Sequence, residues 1–192
     1  QGWLDYTSQM GEAPLRAEIV AWMGDRILGP IGAEDVALTH GGQNAINIVL
    51  QCCLRGDRPG VFMEELAYPG FRHAARLNRA DIVPVALDEL GMRADALDAA
   101  CHRHAARIVC LTPEAQNPTT ARMSHTRREE IVAVARAHDL QIVEDDCYVV
   151  SAGEEQVPAL RAMAPERVWY LASFSKGLSA GLRMGMIVTP TG

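Results

Sequence analysis

The sequence predicts an α/β fold built on a mostly parallel sheet of seven strands. Short β-branched runs alternate with longer segments whose apolar residues recur every three to four positions. The runs are almost continuously apolar, as in strands that crossover helices cover on both faces. The predicted strands are Val36–Thr39, Val61–Glu64, Ile82–Ala86, Ile108–Thr112, Ile142–Asp145, Val168–Ala172 and Met186–Thr189. The predicted helices are Leu15–Leu28, Gln43–Leu54, Gly70–Asn78, Ala94–His104, Thr126–His138 and Pro158–Met163.

Charge and composition exclude several classes of protein. The 192 residues include 18 Lys+Arg and 24 Asp+Glu, a formal net charge of −6, which argues against a nucleic-acid partner. With 48% hydrophobic and 22% charged residues, the composition is that of a globular chain. No apolar run approaches the ~20 residues of a membrane-spanning helix, and the five cysteines lack C-x-x-C spacing. We therefore expect a cytoplasmic protein that binds neither membrane nor nucleic acid.

The loops after the first two strands carry the first candidate residues, because ligands of parallel sheets bind at the carboxyl ends of strands. Gly41 and Gly42 open a helix whose free N–H groups could hold an anion, or they could serve only the bend. Tyr68 precedes Pro69 and could stack on a planar ligand or simply fill its loop. Dinucleotide and P-loop glycine motifs are both absent from the sequence, so those functions are excluded.

Polar residues also follow the fourth and fifth strands. Pro118 holds Asn117 extended, so this amide could donate to a ligand oxygen or form a turn. Glu144, Asp145 and Asp146 end a buried strand, where they would repel one another unless a cation or a protonated base lies opposite one of them. Hard-cation sites draw ligands from several loops, and no other His or Asp cluster in the sequence is placed to help. We therefore expect no metal at these acids.

Lys176 is the only lysine beside 17 arginines, and it follows the sixth strand in S-F-S-K-G-L-S-A-G-L-R-M-G. A lysine partly desolvated at the end of a buried strand is a competent amine nucleophile. The alternative is a solvated surface charge. The apolar strand before Lys176 and the glycines after it favour the nucleophile.

The strand-end motifs, taken in order, resemble those of one enzyme family. They read G-G-Q-N, E-x-x-A-Y-P-G, Q-N-P-T, E-D-D-x-Y and S-F-S-K-x-x-x-x-G-L-R-x-G. This set resembles the pyridoxal-phosphate-dependent aminotransferases of class I/II, fold type I, close to aminoadipate and kynurenine aminotransferases and to the effector domain of MocR-type regulators. The resemblance covers nearly the whole chain. It implies pyridoxal 5′-phosphate as cofactor and a three-layer α/β/α domain whose last strand runs antiparallel.

The same resemblance assigns roles to individual residues. Lys176 would be the Schiff-base lysine, which anchors the cofactor and moves the proton during transamination. Asp145 would keep the pyridine nitrogen protonated, while Asn117 and Tyr148 would hydrogen-bond the phenolic oxygen. Tyr68 would stack on the ring. Lys176, Asp145 and Tyr148 are thus the expected catalytic residues.

The cofactor phosphate, by the same resemblance, would be bound where the first and sixth strands end. Backbone N–H groups of Gly42 and Gln43 would donate to it. The hydroxyls of Ser173 and Ser175 and the guanidinium of Arg183 would complete the site, since a planar guanidinium suits phosphate oxygens.

The resemblance also implies a domain organisation and a function. Related chains are about twice as long, so we expect residues 1–192 to be an incomplete cofactor-binding large domain, without the N-terminal segment and the C-terminal small domain. The implied activity is transfer of an amino group between an α-amino acid and a 2-oxo acid by a homodimer. Two alternatives stay open: a C–S lyase or decarboxylase of the same fold, and the amine-sensing domain of a MocR-type regulator.

Overall fold

The computed structural model describes residues 9–23, 25–57, 59–146, 157–177 and 179–191. The helices are α1 (Gln9–Met23), α2 (Asp25–Leu28), α3 (Gly42–Cys53), α4 (Pro69–Leu77), α5 (Ala94–Arg103), α6 (His125–Ala137), α7 (Leu160–Met163) and α8 (Phe174–Gly177). The strands are β1 (Val36–Thr39), β2 (Gly60–Glu64), β3 (Asp81–Val85), β4 (Leu87–Asp88), β5 (Gly91–Met92), β6 (Ala106–Leu111), β7 (Gln141–Asp145), β8 (Val168–Ser173) and β9 (Gly185–Val188). Short 3-10 helices span Ala33–Asp35 and Ala180–Leu182.

The main sheet confirms the predicted topology. Its seven strands lie in the order β1-β9-β8-β7-β6-β2-β3, and every pair is parallel except the two that involve β9. Because β9 is antiparallel to both neighbours, β1 runs in the same direction as β8. The carboxyl ends of six strands therefore lie at one edge of the sheet, where the sequence predicted the ligand site.

Helices cover the two faces of the sheet and bury alternate residues of each strand. Ile142 of β7 packs into the cluster beneath α5, α6 and α7, whereas the next residue, Val143, packs into the cluster beneath α3 and α4. This alternation follows from the two-residue period of a strand. A third cluster joins α1 to β1 and β9 through Ile19, Val36 and Val188.

The structure differs from several of the predicted elements. The predicted helix Leu15–Leu28 is two helices, α1 and α2, and the 3-10 helices Ala33–Asp35 and Ala180–Leu182 were not predicted. Helix α1 begins at Gln9 and continues through Pro14, whereas the sequence predicted a start at Leu15; a proline removes only one main-chain hydrogen bond and need not end a helix. The β4–β5 ladder pairs two residues on each side, too few to show an alternating pattern. Helix α8 is a single turn and was likewise not predicted. In the described part of the chain, no helix combines the length and the apolar character needed to cross a bilayer.

Candidate active site

A cleft of about 330 Å³ opens at the carboxyl edge of the sheet. Its volume falls within the range of small-molecule sites, about 300–1,000 Å³. Nine of the ten predicted site residues line it: Gly42, Gln43, Tyr68, Asn117, Asp145, Ser173, Ser175, Lys176 and Arg183. The tenth, Tyr148, lies outside the described residues.

Two adjacent strands bring Asp145 and Lys176 to the same cleft. Asp145 ends β7 and pairs in register with Leu171 of β8. Strand β8 ends two residues later at Ser173, and α8 begins at once and carries Lys176. Asp145 is buried, with 4% of its surface exposed. Lys176 is exposed, which contradicts the expected partial desolvation, because α8 carries the side chain past the end of the buried strand.

The two-residue period of β7 separates Asp145 from the acids on either side of it, Glu144 and Asp146. Asp145 lines the cleft, while Glu144 accepts the backbone N–H groups of Leu160 and Arg161, both at 3.0 Å. Asp146 accepts the hydroxyl of Tyr170 at 2.7 Å. The repulsion that the sequence predicted is therefore reduced by distributing the acids between different surroundings.

Burial changes the acidity of the two acids behind the cleft. Burial raises the pKa of Glu144 to about 7, against the opposing effect of the nearby Arg128 guanidinium, 3.9 Å away. Burial also raises the pKa of Asp146, and the hydrogen bond from Tyr170 opposes that rise. In the part of the chain that the structure describes, the one metal-compatible cluster of His, Cys, Asp and Glu contains none of the three acids.

The first turn of α3 forms one wall of the cleft and suits an anion. Gly41 precedes it with φ of 85°, a conformation that favours glycine. The first N–H groups of a helix have no acceptor within the helix, so Gly42 and Gln43 present theirs at the cleft. The Arg183 guanidinium approaches this turn: a Cβ on Gly41 would lie 3.2 Å from its Nη2. A helix N-terminus and an arginine thus meet at one end of the cleft.

Close packing of two glycines holds this wall against β9. A Cβ on Gly185 would lie 2.8 Å from the carbonyl carbon of Gly41 and 2.9 Å from Oγ1 of Thr39. Gly185 pairs with Ser173 on one side and Thr39 on the other. The final glycine of G-L-R-x-G therefore lets β1, β8 and β9 bring their loops together.

Tyr68 is fixed to the same wall through a neighbouring glycine. The Gln43 side-chain amide donates to the carbonyl oxygen of Gly70 at 3.1 Å. A Cβ on Gly70 would collide with both Gln43 Oε1 and the Tyr68 ring, each 2.2 Å away. The Tyr68 ring also meets Phe71 edge-on, with centroids 6.5 Å apart. The Y-P-G motif thus joins α4 to α3 beside the cleft.

A buried amide, which the sequence analysis assigned no role, holds the Asn117 loop. Gln116 is 1% exposed, and its Nε2 donates to the Leu66 carbonyl at 2.7 Å and to Glu64 Oε2 at 3.2 Å. Its Oε1 accepts the backbone N–H of Thr119 at 2.9 Å. The Asn117–Pro118 peptide bond in this loop is cis. Gln116 precedes Asn117 in the quoted Q-N-P-T motif, which is the signal that could have identified it.

Three further lining residues were not predicted: Ile46, Thr112 and Ala180. Thr112 is 5% exposed, and its Oγ1 has no hydrogen-bond partner among the described residues. A buried hydroxyl without a partner is costly unless a ligand or water satisfies it. Its position one residue past β6 is the same strand-end signal that pointed to Asp145.

Comparison with known proteins places this geometry in a family. The family model for aminotransferase class I and II matches residues 1–191. The chain belongs to this family. Among curated proteins, the 2-aminoadipate transaminase of Thermus thermophilus is 35% identical over 190 residues, which cover 96% of this chain and 46% of that protein. An uncharacterized HTH-type transcriptional regulator of Bacillus subtilis is 34% identical over 158 residues, or 82% of this chain and 34% of that protein.

Solved structures of the family share the fold. The α-aminoadipate aminotransferase LysN of Thermus thermophilus, solved in complex with N-(5′-phosphopyridoxyl)-L-leucine, superposes with a TM-score of 0.86 and 34% identity. The superposition covers 97% of this chain and 47% of that one. This class I and II chain thus spans less than half the length of these relatives.

Proposed function

We propose that this class I and II chain is the cofactor-binding domain of a pyridoxal-phosphate-dependent aminotransferase, which moves an amino group between an α-amino acid and a 2-oxo acid. One observation carries the proposal: the only lysine of the chain and a buried carboxylate line the same cleft, beside a helix N-terminus and an arginine. An amine, an acid and an anion site are the groups that an aldehyde, a pyridine nitrogen and a phosphate require.

The residues present fit that cofactor. The unpartnered Thr112 Oγ1 offers a buried polar atom at the cleft. Because Gly41 has no side chain, the Arg183 guanidinium can approach this turn closely. The turn lies at the end of the cleft where a phosphate would be bound. The cleft volume of about 330 Å³ suits a small planar molecule.

When bound, pyridoxal phosphate supplies an aldehyde that bonds amines and a pyridine ring that draws electrons from the amino acid Cα. Lys176 would supply the amine that holds the aldehyde and would move a proton to and from Cα. Asp145 would hold a proton on the pyridine nitrogen, and its burial would strengthen that charge interaction. By the family resemblance, Asn117 and Tyr148 would donate to the ring oxygen and Tyr68 would stack on the ring face; Tyr148 itself lies outside the described residues.

The phosphate is assigned to the wall between α3 and α8. Gly42 and Gln43 would donate backbone N–H groups to it, and the α3 dipole would favour its negative charge. Arg183 and the hydroxyls of Ser173 and Ser175 would complete the site. Oγ of Ser173 already accepts the backbone N–H of Ser175 at 3.2 Å, so its own proton is free to be directed at a phosphate oxygen.

A second function is favoured by the similarity to the Bacillus subtilis regulator over 82% of this chain. In that case the domain would bind the cofactor and an amine as a sensor attached to a DNA-binding domain in the parent protein. The cleft described here would serve either function, because both begin with the same binding step.

We also propose the setting of the parent protein. Residues 1–192 would form its incomplete large domain, joined to an N-terminal segment and a small domain. The parent would be a cytoplasmic homodimer. Trp22 and Leu182, each 57% exposed, offer apolar surface for a partner, and the exposed free thiol of Cys52 suits a reducing compartment.

Turnover by the full-length parent decides between the two functions. The purified protein would be incubated with cofactor, 2-oxoglutarate and a panel of amino acids, and glutamate production would be measured. Glutamate formed by the parent, and not by its Lys176→Ala variant, supports the aminotransferase. Cofactor bound at Lys176 without glutamate from any donor would contradict the aminotransferase and favour the sensor.

A further inference from the structure

A cluster of two imidazoles and a carboxylate lies between α5 and α6, remote from the cleft. It consists of Asp98, His102 and His138. Helix α5 leads into β6 and helix α6 into β7, so the carboxyl ends of both helices lie at the amino edge of the sheet. The cleft lies at the opposite edge, and the cluster therefore belongs to a different part of the molecule.

The sequence brings two of these residues together on one helix and the fold adds the third. Asp98 and His102 are four residues apart on α5 and thus face the same side. His138 caps the carboxyl end of α6, and its Nε2 lies 2.7 Å from Asp98 Oδ1. Asp98 Oδ2 lies 3.8 Å from His102 Nε2, and the two imidazole rings meet edge-on with centroids 4.9 Å apart. One ligand atom from each residue lies within 4.8 Å of the other two.

We propose that Asp98, His102 and His138 form a binding site for a divalent transition-metal ion of the zinc type. Two imidazoles and one carboxylate are a common donor set for Zn²⁺, and three protein ligands leave a position for water. Around a tetrahedral ion with bonds of about 2.0–2.2 Å, ligand atoms stand about 3.3–3.6 Å apart. The observed separations of 2.7 Å and 3.8 Å lie on either side of that value but involve different oxygens of Asp98, so binding needs the carboxylate and the imidazoles to adjust.

The surroundings favour a cation and permit that adjustment. His102 lies in the last turn of α5 and His138 caps α6, so the negative ends of two helix dipoles meet at the cluster. The side chains of His102 and Asp98 are 70% and 47% exposed, respectively, so solvent-facing space is available for them to adjust. His138 is 20% exposed and provides the ordered ligand. Metal binding would link α5 to α6.

The test is calorimetric titration of ZnCl₂ into the chain without added cofactor, after treatment with a chelator. Cys52 and Cys53, which are consecutive in the sequence, would both be replaced by serine in every sample, because a pair of thiolates can bind zinc itself. His125→Ala is the matched control, because His125 forms an i,i+4 pair with Glu129 at 3.5 Å but belongs to no three-ligand group of the described chain.

We expect one zinc ion per chain and the same affinity in the His125→Ala variant. His102→Ala and Asp98→Asn each remove one exposed ligand and should weaken binding about tenfold or more, since even outer-shell partners change metal affinity about 10–100-fold. Circular dichroism without metal verifies that each variant is folded. The proposal would be overturned if the chain with the cluster intact bound no zinc. It would also be overturned if His102→Ala and His125→Ala bound zinc with equal affinity.

Discussion

Glu144 and Asp145 are neighbours in the chain, yet Glu144 is hydrogen-bonded to the start of α7 whereas Asp145 lines the cleft. Glu144 accepts two backbone N–H groups at 3.0 Å, whereas Asp145 lines the same cleft as Thr112 and Lys176. The alternation of a strand produces this separation without any special backbone geometry. A single acidic run thereby supplies one structural acceptor and one group for the proposed site.

Asp145→Asn should abolish most of the activity of the parent enzyme while leaving its fold intact. The amide matches the shape of the carboxylate but cannot hold a proton on the pyridine nitrogen. We expect kcat to fall about 100-fold or more, as is usual when a positioned proton-handling group is lost. The measurement is steady-state amino transfer with saturating cofactor.

Asp146→Asn is the control for that change, because it alters the next residue in the same way. Asp146 is bonded to Tyr170 and does not line the cleft. We expect the kcat of Asp146→Asn to lie within a few-fold of the kcat of the unmutated full-length enzyme. Equal losses in the two variants would mean that the effect is general destabilisation, and the role of Asp145 would be wrong.

Thr112→Val should change stability and cofactor affinity in opposite directions. Without cofactor, the variant removes a buried hydroxyl that has no partner among the described residues, so the free energy of unfolding should rise by about 1 kcal/mol. With cofactor, the lost hydroxyl should weaken binding. Thr39→Val is the matched control, because Thr39 Oγ1 donates to the Gly41 carbonyl at 3.3 Å and its loss should destabilise the chain. Urea unfolding with and without cofactor measures both effects, and a less stable Thr112→Val chain would contradict the prediction.

Gly185→Ala should destabilise the chain and weaken cofactor binding together. The added methyl would lie 2.8 Å from the Gly41 carbonyl carbon, so β1 and β9 must separate. Such overpacking costs about 1–3 kcal/mol. Gly181→Ala is the control in the same segment, because its methyl meets nothing nearer than Ser179 Oγ at 3.6 Å. Thermal unfolding that gives the same midpoint for both variants would refute the close-packing explanation.

Glu64 should make the folded chain less stable as the pH rises. Burial raises the pKa of Glu64 from 4.5 to about 8; hydrogen bonds from Gln116 and the Thr112 backbone oppose the rise, and Asp145 adds to it. Between these pH values the folded state holds a proton that the unfolded state has released. The free energy of unfolding therefore falls with pH, by at most about 1.4 kcal/mol per pH unit for this group.

Urea unfolding at pH 5, 6.5 and 8 tests this pH dependence. The free energy of unfolding should decline less steeply with pH in Glu64→Gln than in the unmutated chain. Glu166→Gln is the control of opposite sign. Slight burial raises the pKa of Glu166, but hydrogen bonds from Arg136 and Arg167 outweigh it and lower the pKa to about 2. Its stabilising effect is fully present above about pH 4.5 and is lost only as the pH falls towards 2, so its removal should leave the decline unchanged. If the free energy of unfolding fell with pH equally steeply in Glu64→Gln and in the unmutated chain, the raised pKa of Glu64 would be contradicted.

The sheet and most of the cleft could be predicted from the sequence because both depend on local patterns. Apolar runs such as that of β7 define strands, and parallel topology brings the ends of those strands together. The antiparallel course of β9 was predicted only through family resemblance, because the direction of a strand leaves no mark on its own residues. Helix α8 was missed because one turn is too short for a periodic signal. The role of Gln116 depends on contacts with Glu64 and Leu66, about fifty residues earlier, which no local pattern encodes.

The attachment point of the cofactor tests the account most directly, because Lys176 is the only lysine in the chain. The chain would be incubated with pyridoxal phosphate, reduced with borohydride, digested and analysed by mass spectrometry. We predict the reduced cofactor on the peptide that contains Lys176 and no label in the Lys176→Arg variant, which keeps the charge but lacks the nucleophilic amine. The account would be contradicted if the folded, unmutated chain carried no label, or carried label only at its N-terminal amine.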